Sequence, residues 1–457
     1  MPAPAPIRQL NLLQTTAIIV GSVIGSGVFI NLPIVAKHAG SPMMSVLIWA
    51  LGGICWIPQI LILAEMGSAY PDQGGPYAYL VKAGSPFLGF LYTWTAFLTS
   101  DTPSLTIIGL SAASALTFFY PALSDPLYSR VFAGTLIFLL GALQYRSVKI
   151  GGNVQVFLTI AKVLPLLLII VIGFFFLDSG NLGSAVTEKI GGGPAGFAMV
   201  TAGITATLWA YSGFLNILYM AGEVKNPRKT LPGSLIGSII FVTVAYTLIS
   251  LGTSAIVPYD RLIAAEGSFV NPFSYVGFLA THAGTFLAIA SFISMVGVLN
   301  SLIMTQPRLE YAMARDGLFF RRFAHLHPKY LTPDFSLLIQ CSLAVLLFLL
   351  GGIENMLGYF SLSYVIQNSL VYGAIFFLRK RDDYQPSYRS PVWKTMAGVS
   401  ILIQLYIAYG TFLAYPTAGV LASFGLIVSG MPVYWYFRRS RYFVKSGSSK
   451  ENTSLTS

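Results

Sequence analysis

Charged residues are scarce in this sequence. Asp, Glu, Lys and Arg make up 9% of its 457 residues and hydrophobic residues 55%, whereas a soluble domain averages roughly 25% charged residues. So little charge excludes a soluble globule of this length. The apolar residues form blocks of about 20, the length at which a helix crosses a bilayer. Because open sheet edges cannot face lipid and barrel strands are shorter than these blocks, the sequence predicts an all-α membrane protein.

Cysteine and histidine are also rare. The two cysteines, Cys55 and Cys341, both fall inside predicted spans, so no structural disulfide is expected. The four histidines form no HExxH motif, and neither a GxSxG motif nor a cysteine cluster occurs. Glycine-rich residues 151–155 lack the Lys-Ser/Thr of a phosphate loop. The sequence therefore predicts no enzyme, no cofactor and no metal site.

The apolar blocks divide the chain into twelve predicted spans, the first of them an uncleaved helix. An even number places both termini on one side, and the lysines and arginines concentrate on the segments of that side. We therefore predict an inner, cell-membrane protein with cytoplasmic termini, in which the net charge of +11 reflects this bias and no nucleic acid is bound. All but five of the 27 basic residues lie on inner segments, the exceptions being Lys37, Arg130, Lys189 and Arg261 outside and Lys162 within a span.

Small residues interrupt the first and sixth spans near their middles, at 21–27 and 210–213. Interrupted helices at matching positions in two halves indicate a transporter site built from broken helices. The breaks lie five spans apart, and an odd repeat must be inverted in the membrane. The predicted organisation is a cytoplasmic N-terminus (1–11), a first repeat (12–177), a second repeat (195–378), two further helices (391–437) and a disordered cytoplasmic tail (438–457).

Each break offers partners for one end of a free amino acid. Burying both charges of a zwitterion in a bilayer is prohibitive unless fixed groups meet them. Amide groups at the start of a half-helix favour a carboxylate, and carbonyls at the end of the other favour an ammonium. An alternative for the first break is simple GxxxG helix packing. The predicted substrate-binding residues are Ile24, Gly25, Ser26, Gly27, Trp209, Ala210, Tyr211, Ser212 and Gly213.

Two charged residues fall inside spans. A buried lysine must find carbonyls or an acid, or lose its proton, so Lys162 is predicted to replace a sodium ion by bridging span five to the broken first helix. The alternative is a lysine that snorkels to the interface. Asp101 is predicted to line the substrate path, bind a proton or pair with Lys162, or else to be satisfied locally by neighbouring hydroxyls. Trp209 is a candidate gate, although such aromatics also serve as packing or interface anchors.

Seven motifs along the chain resemble the amino acid-polyamine-organocation superfamily, close to its L-type amino acid transporter branch and bacterial relatives. They are IGSGVFI (24–30), PDQGGPYAYL (71–80), VQVFLTIAK (154–162), WAYSGFLN (209–216), GEVKNPRKTLP (222–232), LNSLIMTQPRLEYAMARDG (299–317) and YRSPVW (388–393).

The resemblance implies a LeuT-like five-plus-five inverted repeat that works by alternating access. It further implies carboxylate binding at Gly25, Ser26 and Gly27, amine binding by the carbonyls around Trp209, gating by that side chain, and sodium independence through Lys162.

Three departures from the family pattern bear on specificity. The outer segment 120–129 lacks cysteine, so no disulfide-linked heavy subunit is expected. Asp101 and Thr102 precede Pro103 where L-type relatives often carry Arg-Pro. Leu215 stands where arginine-exchanging relatives place a glutamate.

The sequence thus predicts a sodium-independent transporter of neutral amino acids that works by exchange or proton coupling. Its predicted partners are the amino acid substrate and membrane lipid. The main alternative is a transporter of polyamines or cationic amino acids with the same fold. A channel, which needs a polar pore ring, and a ligand sensor without flux are the alternatives from other classes.

Overall fold

The computed structural model describes residues 6–25, 27–177, 179–183, 194–266, 270–349, 353–414 and 424–439. These residues are helical or form turns, and within those ranges the only β pairing consists of two isolated bridges, Leu10 with Val224 and Gln73 with Met220. The predicted all-α class is confirmed for this part of the chain. The predicted disordered tail lies outside the described residues from position 440 onward.

The α-helices of the first half have between 8 and 28 residues. They are α1 (Leu12–Val23), α2 (Gly27–Ala39), α3 (Pro42–Ala69), α4 (Gly75–Lys82), α5 (Pro86–Thr95), a π-helical turn (Ala96–Asp101), α6 (Thr102–Ala115), α7 (Pro126–Arg146) and α8 (Val148–Phe175).

The second half also contains both short and long helices. Its elements are α9 (Pro194–Ala210), α10 (Asn216–Tyr219), α11 (Pro227–Ile256), α12 (Tyr259–Ala264), α13 (Gly277–Ala280), α14 (Ala283–Thr305), α15 (Pro307–Arg315), α16 (Asp334–Leu346), α17 (Ile353–Leu378) and α18 (Trp393–Ala414), followed by α19 (424–439).

Within the described ranges, five helical segments are long and apolar enough to cross a membrane, and α1 with α2 makes a sixth if the bent pair is one span. Shorter apolar stretches occur at Met199–Leu208, Asp334–Leu349 and Ser363–Leu378. A multi-pass membrane protein follows from these lengths, while the number twelve stays a prediction. The long segments are α3, α7, α8, α11 and the continuous run Ala283–Arg315.

Capping residues mark the starts of several helices. Asn11 and Gln14 form a reciprocal capping box at the start of α1. The Ser41 side chain caps α3, and the Ser147 side chain separates α8 from α7 by accepting from Ile150 N. These caps satisfy amides that would otherwise be exposed at helix ends.

Helix α11 packs along α3, α8 and α1. Its approach to α8 is close because glycines meet there. A methyl group built on Gly173 would lie 2.3 Å from the Gly252 Cα, and one built on Gly252 would lie 2.8 Å from the Ile169 carbonyl oxygen. Small residues at such crossings let membrane helices approach until their backbones touch.

Two buried ion pairs tie the helix ends together on the predicted inner side. Arg308 Nε donates to Glu223 Oε1 at 2.9 Å, and both side chains are at most 2% exposed. Gln73 Nε2 donates to the same oxygen at 2.9 Å. In the second pair, Arg379 donates two hydrogen bonds of 2.7 Å to Glu65. These contacts join segments distant in sequence, so they fix how the helix ends assemble.

Candidate functional site

The first predicted break is present in the backbone. Helix α1 ends at Val23, and Ile24 takes an extended conformation with φ −76° and ψ 100°. Helix α2 begins at Gly27 and is bent from α1 by 48°. Ser26, one of the predicted substrate-binding residues, lies outside the described residues. The Gly/Ser-rich sequence therefore coincides with an interruption of helical geometry, as expected where small residues permit it.

A second interruption separates α9 from α10. Helix α9 ends at Ala210 and α10 begins at Asn216, and between them Gly213 has φ +117°, a conformation that favours glycine. Tyr211 is fully buried, and its hydroxyl donates to the Trp49 carbonyl on α3 at 2.9 Å. The side chain of Trp209, the predicted gate, lies outside the described side chains.

The two interruptions meet. A methyl group built on Gly213 would lie 3.0 Å from the Ser22 carbonyl oxygen, and one built on Gly27 would lie 3.5 Å from the Ala210 Cα. Tyr246 on α11 joins them further, because its hydroxyl lies 3.3 Å from both the Val23 and the Ala210 carbonyl oxygens. The sequence did not predict a role for Tyr246, because its hydroxyl is one of many in this span and nothing in the sequence distinguishes it from the others.

Lys162 on α8 reaches the end of α1. Its side chain is 2% exposed, and Nζ donates to the carbonyl oxygens of Gly21 and Ile24, each at 2.7 Å. Ser294 Oγ on α14 also donates to the Ile24 carbonyl, at 3.4 Å. The last carbonyls of a helix have no partner within the helix. The lysine therefore satisfies backbone acceptors that the break leaves open, and places a cationic group beside it.

Polar side chains of neighbouring helices line the rest of α1. Thr159 Oγ1 on α8 donates to the Ala17 carbonyl at 3.0 Å, and Ser301 Oγ on α14 donates to the Ile18 carbonyl at 3.0 Å. Asn300 Nδ2 donates to Gln155 Oε1 at 2.7 Å, linking α14 to α8. Helix α1 is thus held by directed bonds along the length that leads to its break.

The space beside the second break is small. A cavity of about 10 Å³ lies next to Ser212 and is lined by Trp56, Leu208, Tyr364, Val365 and Ile407. This is room for about one water molecule. An amino acid would enter only if the surrounding side chains or helices moved.

Asp101 ends the π-helical turn that follows α5. The residue is 6% exposed, and Oδ2 has no hydrogen-bond partner among the described residues. Ser104 Oγ donates to the Asp101 backbone carbonyl and not to the carboxylate. Within the described part of the chain Asp101 forms no ion pair with Lys162. The pairing interpretation is therefore absent from this conformation, and local hydroxyls do not satisfy the whole carboxylate.

Glu310 on α15 is a second buried carboxylate, and the sequence did not mark it as a candidate. Glu310 is 0% exposed, and neither carboxylate oxygen has a partner in the described structure. The helical run that begins at Ala283 continues through Pro307 to Arg315 and carries Glu310 into the bundle. Proline at the first position of a helical segment is compatible with continuation, so Pro307 did not mark an end.

Residues 10–437 match the family model for amino acid permeases. The chain belongs to the amino acid permease family. The match covers nearly the whole chain, including both interrupted helices and Lys162, and confirms the resemblance to the amino acid-polyamine-organocation superfamily that the motifs indicate. The protein is accordingly a multi-pass membrane protein of that superfamily.

Several curated transporters are similar to this permease over almost its full length. The serine/threonine exchanger SteT of Bacillus subtilis is 28% identical, covering 95% of this chain and 98% of its own. The mouse b(0,+)-type amino acid transporter 1 is 27% identical, covering 94% and 88%. The mouse Asc-type amino acid transporter 1 is 26% identical, covering 94% and 81%. All three names describe transport or exchange of amino acids.

Glu310 and Glu223 provide a matched pair for a stability test. Both are buried, but only Glu223 has a cationic partner, Arg308. We expect Glu310→Gln to leave stability unchanged or raised, because an unpaired buried carboxylate gains nothing from its charge. Glu223→Gln is expected to cost on the order of 3–5 kcal/mol, because Arg308 then stays buried without its counter-charge.

The measurement is thermal unfolding of the purified protein in detergent, compared with the unsubstituted permease. Equal losses for both substitutions would show that Glu310 has an ionic partner of its own.

Proposed function

We propose that this permease is a sodium-independent transporter of neutral L-amino acids that works by alternating access, as an exchanger or a proton-coupled symporter. It has twelve spans in a five-plus-five inverted repeat, with helices 1 and 6 unwound at mid-membrane, and lies in the cell membrane with both termini cytoplasmic. It acts without a disulfide-linked heavy subunit.

The meeting of the two interrupted helices carries this proposal. A methyl group built on Gly27 would lie 3.5 Å from the Ala210 Cα, and one built on Gly213 would lie 3.0 Å from the Ser22 carbonyl oxygen, so the backbones of the two breaks lie in contact. Amides at the start of α2 suit a carboxylate, and the carbonyls at the end of α9 suit an ammonium. An amino acid offers both charges at the separation of one Cα atom, so one molecule can engage both helices.

The ammonium of Lys162 supports sodium independence. It lies 2.7 Å from two carbonyl oxygens at the end of α1, where a bound cation would meet the same acceptors. The Lys162 side chain already meets these acceptors, so no dissolved ion is needed to complete the break. The names of the relatives support neutral substrates and exchange, since one of them is a serine/threonine exchanger.

Uptake of labelled amino acids into proteoliposomes tests the proposal. We expect neutral amino acids, beginning with serine and threonine, to accumulate faster when the vesicles hold unlabelled substrate or when a proton gradient points inward. Replacing sodium by choline is expected to leave the rate unchanged. Vesicles without the protein serve as the control. Flat uptake across all twenty amino acids under both conditions contradicts the proposed function.

Lys162→Ala removes two charge-assisted hydrogen bonds from the break. We expect transport to fall roughly tenfold or more, because bonds of this kind contribute about 1.5–3 kcal/mol each. Thr159→Ala is the matched control, since Thr159 lies one turn earlier on α8 and bonds the Ala17 carbonyl away from the break. The control is expected to transport near the normal rate. Both proteins must elute as monodisperse species. Normal transport by Lys162→Ala contradicts the proposal that Lys162 takes the place of a sodium ion.

A second candidate is transport of a polyamine or cationic amino acid. The observation that favours it is the buried Asp101 carboxylate, whose Oδ2 has no partner in the described structure and is available to a cation. Asp101→Asn removes the charge and keeps the shape. If the substrate is neutral, we expect its KM to change little. A KM for an amine that rises by about tenfold or more, as expected from losing a buried ion pair, would establish the second candidate.

A further inference from the structure

A large open groove lies on the flank of the bundle, away from both interrupted helices. It runs between the ends of α7 and α15, the segment before α16, and the end of α19. Its volume is about 1940 Å³, roughly twice the upper end of small-molecule pockets. We call it the basic groove, after the four arginines on its rim, Arg146, Arg315, Arg321 and Arg322.

The rim of the basic groove carries excess positive charge. Among the described residues, Arg146, Arg321 and Arg322 have no carboxylate within ion-pair distance, and Arg315 has only the adjacent Asp316 at 3.7 Å. The four arginines are exposed. The carboxylate in the described lining belongs to Asp334, whose Oδ1 already lies 2.7 Å from His325 Nδ1. Unpaired guanidinium groups in this density suit phosphate, which arginine binds through two parallel hydrogen bonds.

The wall below the rim is apolar. Leu139 on α7 is 62% exposed and Leu338 on α16 is 55% exposed, and α7 is among the helices able to cross a membrane. Leu139 precedes Arg146 by seven residues, which is about 10 Å along a helix. Tyr145 and Tyr436 line the groove near its rim, the level at which tyrosines concentrate in membrane proteins. The groove therefore changes from cationic to hydrocarbon-like over the depth of a lipid headgroup.

This arrangement matches one occupant. A soluble phosphate would leave the leucine wall uncovered, and a zwitterionic lipid would leave the charge of the arginines unbalanced. The C-terminal tail follows α19 directly, but it carries Arg441, Lys445 and Lys450 against Glu451, so its charge repels the rim. Basic pockets between helices at the inner surface are suited to anionic headgroups.

We propose that the basic groove is a binding site for an anionic phospholipid, with the phosphate on Arg146, Arg321 and Arg322 and the acyl chains along Leu139 and Leu338. The site rests on the membrane-embedded fold and not on the proposed substrate. Lipid binding and amino acid transport can therefore fail independently.

The test is native mass spectrometry of the purified full-length protein titrated with phosphatidylglycerol or phosphatidylcholine. We expect phosphatidylglycerol to bind more tightly. Arg146→Gln/Arg321→Gln/Arg322→Gln should weaken that binding on the order of 10- to 100-fold and leave phosphatidylcholine unaffected. The matched control is Lys225→Gln/Arg228→Gln/Lys229→Gln, which removes three exposed charges from another inner segment and should change little. Equal weakening by both triple variants would overturn the proposal, because it would indicate general surface charge.

Two further arms distinguish the other occupants. Glycerol phosphate at millimolar concentration should not displace the lipid, and displacement would identify a site for soluble phosphate. Truncation after Arg439 should leave phosphatidylglycerol affinity unchanged, and a large gain would show that the tail covers the groove. Leu139→Gln/Leu338→Gln should weaken phosphatidylglycerol binding with the arginines intact, and unchanged binding would exclude the acyl-chain wall. Equal melting temperatures in phosphatidylcholine micelles show that each variant is folded.

Discussion

The carbonyl groups at the end of α1 are the constraint on which the site depends. A helix that stops inside a membrane leaves acceptors that water would normally satisfy and lipid cannot. Here the acceptors have partners from three directions. Lys162 bonds Gly21 and Ile24, Ser294 bonds Ile24, and Tyr246 approaches Val23. The break is therefore a built feature of the fold, stabilised by α8, α11 and α14 together.

The need to provide hydrogen-bond partners for these carbonyl groups explains why polar residues occur on helices that are otherwise largely apolar. Thr159 and Lys162 lie one turn apart on the face of α8 that meets α1, and Ser294 and Ser301 lie two turns apart on α14. Together they bond carbonyl groups from Ala17 on α1 to Ile24 at its break. Helices α8 and α14 hold α1 in place although its end is irregular. Peptide groups at the break can therefore face a ligand while the surrounding helices stay packed.

Part of this site could be predicted from sequence because it is local. Glycines mark the breaks, and a lysine in an apolar run must find acceptors, so Lys162 is conspicuous. What could not be predicted depends on contacts between distant segments. Asn300 bonds Gln155, and Arg308 pairs with Glu223. A single sequence does not show which residues of two distant segments face one another. Glu310 was missed for a different reason, because a proline next to polar residues resembles the end of a span although helical geometry continues through it.

The small cavity beside Ser212 and the buried ion pairs together indicate where the molecule can open. Close backbone contacts such as Gly173 against Gly252 lose their van der Waals packing when the helices separate. An ion pair such as Glu223 with Arg308 differs, because the charges that lose each other regain hydration, and its net contribution is the small difference of two large terms. A bundle whose ends are joined by such pairs can part there at moderate cost while crossings packed on glycine, such as that of α8 with α11, stay intact. The proposed alternating access requires that division, since one region must stay rigid while the path to the substrate opens and closes.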